Sequence, residues 1–460
     1  MSKVLKATRR DVLKTAAAAS TFTILPSGML FGQNKPSEQF RFAQVGCGGK
    51  GSSDMGAMIG AGAKLVAMVD VDKDRAKGNF KKHSGVPQYS DYRKMLDKHD
   101  KEIDGVVVST PDHTHACIAL EAIKRGKHVY VQKPLARTYQ ECQVLLDAAK
   151  KYGVVTQMGN QGHAGSGLKL WSQMQAENAF GDIQEVHSWS NRPVWPQGMT
   201  QAPKEDPVPE GLDWDSWVGP VAARPFSKGY VPFKWRGFWD FGCGAMGDMA
   251  VHNVDPAFWI FKLGLPSKVK AVASGPVTVA YPTWSTIEMW FDKSPVTGKP
   301  MKITWHDGKK DGKQNAPAVP SGANPNLNMG GNGCMVVGSK MTALGGSHAG
   351  RPLPIAIGSE YKKDDVKALE KHYRAEAKKH KNDNHYGQWV HAAKAGDLNK
   401  CGSKFDYSVP FTQSLLLGCI ALKFQGQELL WDDKKKQFSN NSEANQWLQF
   451  QPRDGFSLTL

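Results

Sequence analysis

Residues 40–70 constrain this chain more than any other stretch. Phe40-Arg41-Phe42-Ala43-Gln44-Val45 is an apolar strand candidate that runs directly into Gly46-Cys47-Gly48-Gly49-Lys50-Gly51. The glycines have the G-x-G-x-x-G spacing. Gly46 permits a tight turn, Gly48 lets a pyrophosphate reach the backbone, and Gly51 lets the next helix lie close on the strand. A helix over Ser52–Ala61 then points its N-terminal amides at the phosphates. A second strand, Lys64–Val69, ends in Asp70, 19 residues beyond Gly51. A carboxylate at that distance accepts hydrogen bonds from the adenosine ribose and repels a 2′-phosphate, which favours NAD over NADP. Asp72 has a weaker claim to that role.

Alternating units continue the pattern. Ile103–Thr110 is a strand entering Pro111-Asp112-His113-Thr114-His115, and His128–Val131 is a strand ending at Gln132-Lys133-Pro134. A helix over Thr138–Tyr152 and a strand over Val154–Met158 lead to Gly159-Asn160-Gln161. Strand–helix alternation of this length implies an α/β fold, a Rossmann doubly wound parallel sheet over residues 38–162 with ligands at the carboxyl ends of its strands. Gly46, Gly48, Gly49, Lys50, Gly51, Asp70, Thr110, Pro111, His113, Gln132, Lys133 and Asn160 are the candidate cofactor contacts.

The turn at Gly46–Gly51, Ser109-Thr110-Pro111-Asp112-His113, Val131-Gln132-Lys133-Pro134-Leu135 and Gly244-Ala245-Met246-Gly247-Asp248-Met249-Ala250-Val251-His252-Asn253-Val254-Asp255 together resemble the glucose–fructose oxidoreductase and inositol dehydrogenase (Gfo/Idh/MocA) family. The resemblance covers nearly all of the chain after Gln39. Gln132 departs from it, since many members carry Glu before Lys-Pro. The family implies a C-terminal α/β domain, here 163–435, on a large, open, mostly antiparallel sheet, followed by a returning tail over 436–460. Ile183–Asn191, Ser267–Val279, Ser285–Phe291 and Met301–Trp305 read as its strands. Residues 196–225 and 307–329 read as long loop insertions. An open apolar sheet face needs a cover, so a homo-oligomer, a dimer or tetramer, is expected.

By the same resemblance Lys133, Asp248 and His252 are the catalytic set. Oxidising a sugar alcohol needs a base for the hydroxyl proton, a group that stabilises the developing alkoxide, and a fixed nicotinamide to take the hydride. The i, i+4 spacing of Asp248 and His252 places both on one face if a helix runs over Asp248–Trp259, where the carboxylate would orient the imidazole. The bland alternative is a satisfied structural histidine beside a helix-capping aspartate. A metal pair extended by His113 and His115 is set aside because hydride transfer in this arrangement needs no metal. His163, Arg192, Trp195, Trp239 and Asp240 are weaker candidates for a sugar site, and His385 is undecided.

The balance of 59 basic to 43 acidic side chains gives +16, but part of the charge lies in the leader and another part along Tyr361–Lys381, where it suits a solvated helix face. No nucleic-acid-binding signature accompanies it. Seven scattered cysteines without a C-x-x-C pair argue for reduced, buried thiols. The first residues, Thr8-Arg9-Arg10-Asp11 before a mild apolar stretch, resemble a twin-arginine export signal within a leader of residues 1–35, too weakly apolar for a stable membrane span. The expectation is an exported, periplasmic enzyme, its leader cleaved or kept as an anchor, that carries a tightly held NAD and acts on a sugar or glycoside hydroxyl. An NAD-dependent glycosidase working by transient oxidation and elimination is the alternative. A non-catalytic glycan-binding protein on the same fold is the third reading, against which the intact Lys133, Asp248 and His252 argue.

Overall fold

The computed structural model describes residues 39–357 and 365–460; the leader expected over residues 1–35 lies outside the described residues. Six parallel strands form the first sheet: β1 (Arg41–Val45), β2 (Lys64–Val69), β3 (Gln88–Tyr89), β4 (Gly105–Val108), β5 (His128–Gln132) and β6 (Thr156–Gly159), in the order β3-β2-β1-β4-β5-β6. This is the doubly wound order, whose direction reverses between β1 and β4 and opens a crevice at the strand ends. Every residue of β4 is buried, as expected of a strand covered by helices on both faces. The helix Lys50–Gly60 starts inside the glycine turn. The helix Tyr139–Tyr152 starts at a capping box of Thr138 with Glu141 and stops at Gly153, whose φ is 61°.

The second sheet contains β7 (Ile183–Ser190), β8 (Lys268–Ala273), β9 (Trp284–Phe291), β10 (Met301–Lys310), β11 (Lys313–Gln314), β12 (Asn332–Gly338), β13 (Met341–Gly345), β14 (Leu353–Ile357), β15 (Glu428–Asp432) and β16 (Gln437–Phe438). Its order is β14-β13-β12-β7-β10-β9-β8-β15-β16, with β11 paired to β10. Only the β7–β10 pairing is parallel. β9 alternates strictly: Ser285, Ile287, Met289 and Phe291 are buried beneath the helix Phe405–Ala421, which also packs on the helix Tyr139–Tyr152 and joins the two lobes.

The outward row of that sheet is less apolar than expected. Lys310 sits 5.0 Å over the Trp284 ring and Lys268 4.2 Å over Trp290. Lys302 pairs with Glu288 at 2.8 Å. The face therefore mixes tryptophan with charge. The insertion at 307–329 begins later than expected, because residues 307–310 continue β10. The Asp307 carboxylate accepts hydrogen bonds from Ser285 N, Ser285 Oγ and Trp305 Nε1, and burial pushes its pKa up to about 6. The segment 196–225 is irregular but for a short helix, Trp214–Val218, whose Trp217 packs with Tyr230 and Phe241. Residues 449–460 run back to the first lobe, where Arg93 Nη1 donates to Gly455 O at 2.9 Å. All seven cysteines are free and buried. No helix among the described residues is long and apolar enough to cross a membrane.

Candidate active site

A cavity of about 620 Å³ opens at the carboxyl ends of β1, β2, β4 and β5 and continues to the second lobe. Its floor is the glycine turn. Gly46 has φ 84°, and a Cβ there would lie 2.5 Å from Ser109 O. A Cβ on Gly51 would overlap Gly46 O. Asp70 accepts hydrogen bonds from Cys47 N (2.7 Å), Gly48 N (3.1 Å) and Asp72 N (3.0 Å) while lining the cavity. Burial raises its pKa and those three amides oppose the rise. Asp72 instead caps the helix Lys73–Lys82 through Arg75 N. A side-chain-free cradle, helix N-terminal amides and a carboxylate at the ribose end fit a dinucleotide.

Beneath this turn lies a fully buried carboxylate that no sequence motif announces. Asp54 accepts from Ser109 Oγ, Gln132 Nε2 and Tyr386 OH, each at 2.8 Å, and pairs with Lys50. Gln132 thus serves two partners, because its Oε1 accepts from Lys133 N at 3.3 Å. An amide is the side chain that can donate to Asp54 while accepting beside it.

Lys133 leaves the end of β5 and donates from Nζ to Asp248 Oδ1 (2.7 Å) and Asp248 O (2.8 Å). Asp248 lies in a π-helical turn, Met246–Ala250, that leads into the short helix Val251–Asn253. Such turns recur at functional sites because the extra residue re-aims side chains. Arg236 Nε stands 3.4 Å and Arg192 Nε 3.9 Å from the same carboxylate. Burial alone would raise the Asp248 pKa, but Lys133 and Arg236 outweigh it and hold it at about 2. For Lys133, burial lowers the pKa against the pull of Asp248.

His252 differs from the expectation. No hydrogen bond joins it to Asp248 among the described residues, because the π turn replaces a plain α-helical i, i+4 register and the carboxylate faces three cations. Its ring instead stacks on His348, with centroids 4.0 Å apart. Its Nδ1 is buried without a hydrogen-bond partner. Burial first, then Lys133 and His348, push its pKa well below the usual range, so it is neutral.

Gly46, Gly48, Gly49, Lys50, Asp70, Thr110, Pro111, Gln132, Lys133, Arg192, Trp195, Asp248 and His252 all line this cavity. Six candidates do not, the first being Gly51, which packs against the Gly46 carbonyl. His113 is fully buried, with Nε2 2.8 Å from Trp217 O and Nδ1 3.3 Å from Phe241 O; the 3-10 turn Asp112–Thr114 rotates it into the aromatic cluster. Asn160 accepts from Ser403 Oγ at 2.6 Å, linking the lobes. His163 lies 3.0 Å from both Asp255 carboxylate oxygens and packs against Trp259 and Tyr407. Trp239 and Asp240 line a separate cavity, where Asp240 pairs with Arg224 at 2.7 Å. His115 bonds two backbone oxygens, of Pro134 and Thr110, so the metal reading finds no support. His385 is buried against Met158 O. No cluster of three metal-ligating side chains occurs among the described residues.

Sequence reasoning missed Arg236, Asp54, Tyr386 and His348. Arg236 bridges Asp248 and Asp112 and stacks 4.4 Å over Trp235. None of the four has a local sequence signal, since each acts across at least 50 intervening residues or within an irregular loop.

Two profiles of one family match the chain: "Oxidoreductase family, NAD-binding Rossmann fold" over residues 40–160 and "Oxidoreductase family, C-terminal alpha/beta domain" over residues 182–307. Levoglucosan dehydrogenase of Pseudarthrobacter phenanthrenivorans is 32% identical over 185 residues, 40% of this chain and 39% of that protein. Inositol 2-dehydrogenase 2 of Saccharopolyspora erythraea is 35% identical over 111 residues, 24% of this chain and 32% of that protein. The matched stretches thus span well under half the length of these curated relatives. Among solved structures, the WlbA dehydrogenase from Chromobacterium violaceum, in complex with NADH and UDP-GlcNAcA, superimposes with a TM-score of 0.58 at 18% identity, covering 86% of this chain and 96% of that one. This likeness shows the fold. With both domains matched in order and together covering more than half of the sequence, the chain belongs to the Gfo/Idh/MocA oxidoreductase family, and its first domain is that family's NAD-binding Rossmann domain.

Proposed function

We propose that this protein is an NAD-dependent oxidoreductase that removes a hydride from a hydroxyl-bearing carbon of a sugar or glycoside. The observation that carries the reading is the Lys133–Asp248 pair beside a neutral, buried His252, in the same cavity as the glycine turn. The sugar dehydrogenases among its relatives support the substrate class.

NAD bound along the glycine turn and Asp70 supplies the hydride acceptor. Two of the three Lys133 ammonium protons are engaged by Asp248, which leaves the third for the substrate oxygen. Asp248, held as a carboxylate, keeps Lys133 cationic despite its burial, so positive charge meets the alkoxide as it develops. His252 is neutral and can take the hydroxyl proton. With Nδ1 sealed from solvent, Nε2 is the nitrogen left for that transfer. Arg236 fixes Asp248 against Asp112 so that the lysine does not wander.

The test is a panel of free sugars and of glycosides with a chromogenic leaving group. Accumulation of a keto-sugar with reduced cofactor supports the dehydrogenase. Leaving-group release without net reduction would favour the glycosidase, and binding without chemistry a glycan-binding protein.

The twin-arginine leader supports export to the periplasm of a folded protein already loaded with NAD, because that route carries folded cargo. A cofactor retained in this way would be recycled on the enzyme by a second sugar. Homo-oligomerisation through the open sheet face is supported by its outward tryptophans, Trp284 and Trp290, and light scattering of the purified protein tests it.

A further inference from the structure

We infer that His348 is a substrate-positioning residue whose Nε2 is fixed as a hydrogen-bond acceptor for a sugar hydroxyl in the cleft. His348 and Ala349 have φ of 57° and 52°, two consecutive non-glycine residues in the left-handed region. Side chains rarely adopt that conformation, and where they do the surroundings must hold them there.

Here every residue of the segment is held. Ala349 N donates to His252 O at 3.3 Å, and Trp171 Nε1 donates to Gly350 O at 3.1 Å. Gly162 and Gly167 pass so close that a Cβ on either would overlap the carbonyl oxygens of His348 and Ala349. The effect of this clamping is to lay the His348 ring on that of His252 at the wall of the cavity.

The hydrogen-bond chain behind the ring then fixes its tautomer. Asn253 Nδ2 donates to Trp189 O at 2.7 Å, which sets the amide so that Oδ1 faces the loop. That oxygen accepts from Ser347 Oγ at 3.0 Å and from His348 N at 3.3 Å. The single hydroxyl proton of Ser347 is therefore committed to Asn253. His348 Nδ1, 2.7 Å from Ser347 Oγ, must carry the proton and donate it. In a neutral imidazole this leaves Nε2 with a bare lone pair, and no protein donor meets it among the described residues. Burial, then Lys133 and Arg192, disfavour a second proton on this ring, and Asp248 opposes them. Lys133 donates to the reacting oxygen and His348, on the wall of the same cavity, accepts, so a substrate would present its reacting oxygen to one and a second hydroxyl, as donor, to the other. A polyol with hydroxyls on more than one carbon, such as a sugar or a cyclitol, meets that requirement.

The substrate part of this inference rests on the oxidoreductase reading, whereas the tautomer does not. Long-range proton–nitrogen spectra of histidine-labelled holoprotein, with His348 assigned from His348→Asn, are expected to show protonated Nδ1 and bare Nε2. Ser347→Ala should shift His348 toward the other tautomer. A wild-type His348 protonated on Nε2, or a spectrum unchanged by Ser347→Ala, overturns the assignment. In turnover of levoglucosan, myo-inositol and glucose, His348→Asn is expected to raise KM roughly tenfold with kcat less affected, the effect of losing one neutral hydrogen bond. The loss should vanish for the deoxy sugar lacking that second hydroxyl. Asparagine is chosen because it tolerates the left-handed backbone. Wild-type KM in both variants overturns the inference while leaving the oxidoreductase reading intact. If the wild type oxidises none of the three sugars, the oxidoreductase reading fails instead, and the spectrum alone decides the tautomer.

Discussion

Lys133 is the residue on which most of the chemistry converges. Its ammonium is held by one carboxylate and one carbonyl of the same residue, so it is positioned and neutralised at once. Lys133→Ala and His252→Ala are each expected to lower kcat/KM by roughly 10²–10⁴-fold while leaving NAD binding nearly unchanged, as measured by steady-state kinetics and calorimetry. Asp248→Asn is a different experiment. It removes the charge that opposes burial at Lys133, so the lysine should lose its proton at lower pH and the alkaline limb of the kcat profile should move toward neutrality. An unmoved limb would mean that Lys133 does not set it. That these three residues line one cavity was legible because they stand in motifs at a strand end and at a Gly-rich turn. His113 and Asn160 stand in equally suggestive places yet face away from the cleft. A strand end identifies the edge of the sheet where ligands bind, but a single 3-10 turn decides which side chain points there.

At the scale of elements, the Rossmann half was readable to within a few residues, since glycine spacing, strand length and a capping box are local. The second half was less so. β12, β13 and β14 carry no strong alternation by themselves; β12 is placed by pairing with β7, more than 140 residues earlier, and β13 and β14 follow from it in turn. The helix expected over Asp248–Trp259 is broken into a π turn and two short helices, a change in register that i, i+4 reasoning does not foresee. The Asp54 hub joins the glycine-turn helix, β5 and the helix His385–Ala395, and it explains the departure at Gln132. Gln132→Glu would set a second carboxylate against buried Asp54. Its expected cost is about 1–3 kcal/mol in urea unfolding. Adding Asp54→Asn should recover part of that loss; additive losses would mean that the two side chains are not coupled.

Burial lowers the pKa of several histidines across the molecule. Burial holds His113 and His385 at about 3 and His128 and His306 at about 4. In the unfolded chain these groups take up protons near pH 6.5, so acid favours unfolding. Stability should be fully present above about pH 6.5 and fall as pH drops toward the folded values, by about 1.4 kcal/mol per pH unit for each such group. Chemical denaturation at a series of pH values reads this directly, and a flat profile down to about pH 4 would contradict it. Protein purified without added nucleotide should release NAD on denaturation, and nucleotide-free protein that binds NAD only weakly would remove the case for a captive cofactor.

The most direct test of the central proposal follows the hydride itself. Levoglucosan, glucose and myo-inositol carrying deuterium on the carbinol carbons would be mixed with the NAD-loaded protein, and the released cofactor analysed by mass spectrometry. Deuterium on the nicotinamide ring from at least one sugar, abolished by Lys133→Ala, is the expected result. NAD that is bound but never labelled, across all three sugars, would contradict a sugar oxidoreductase built on Lys133, Asp248 and His252.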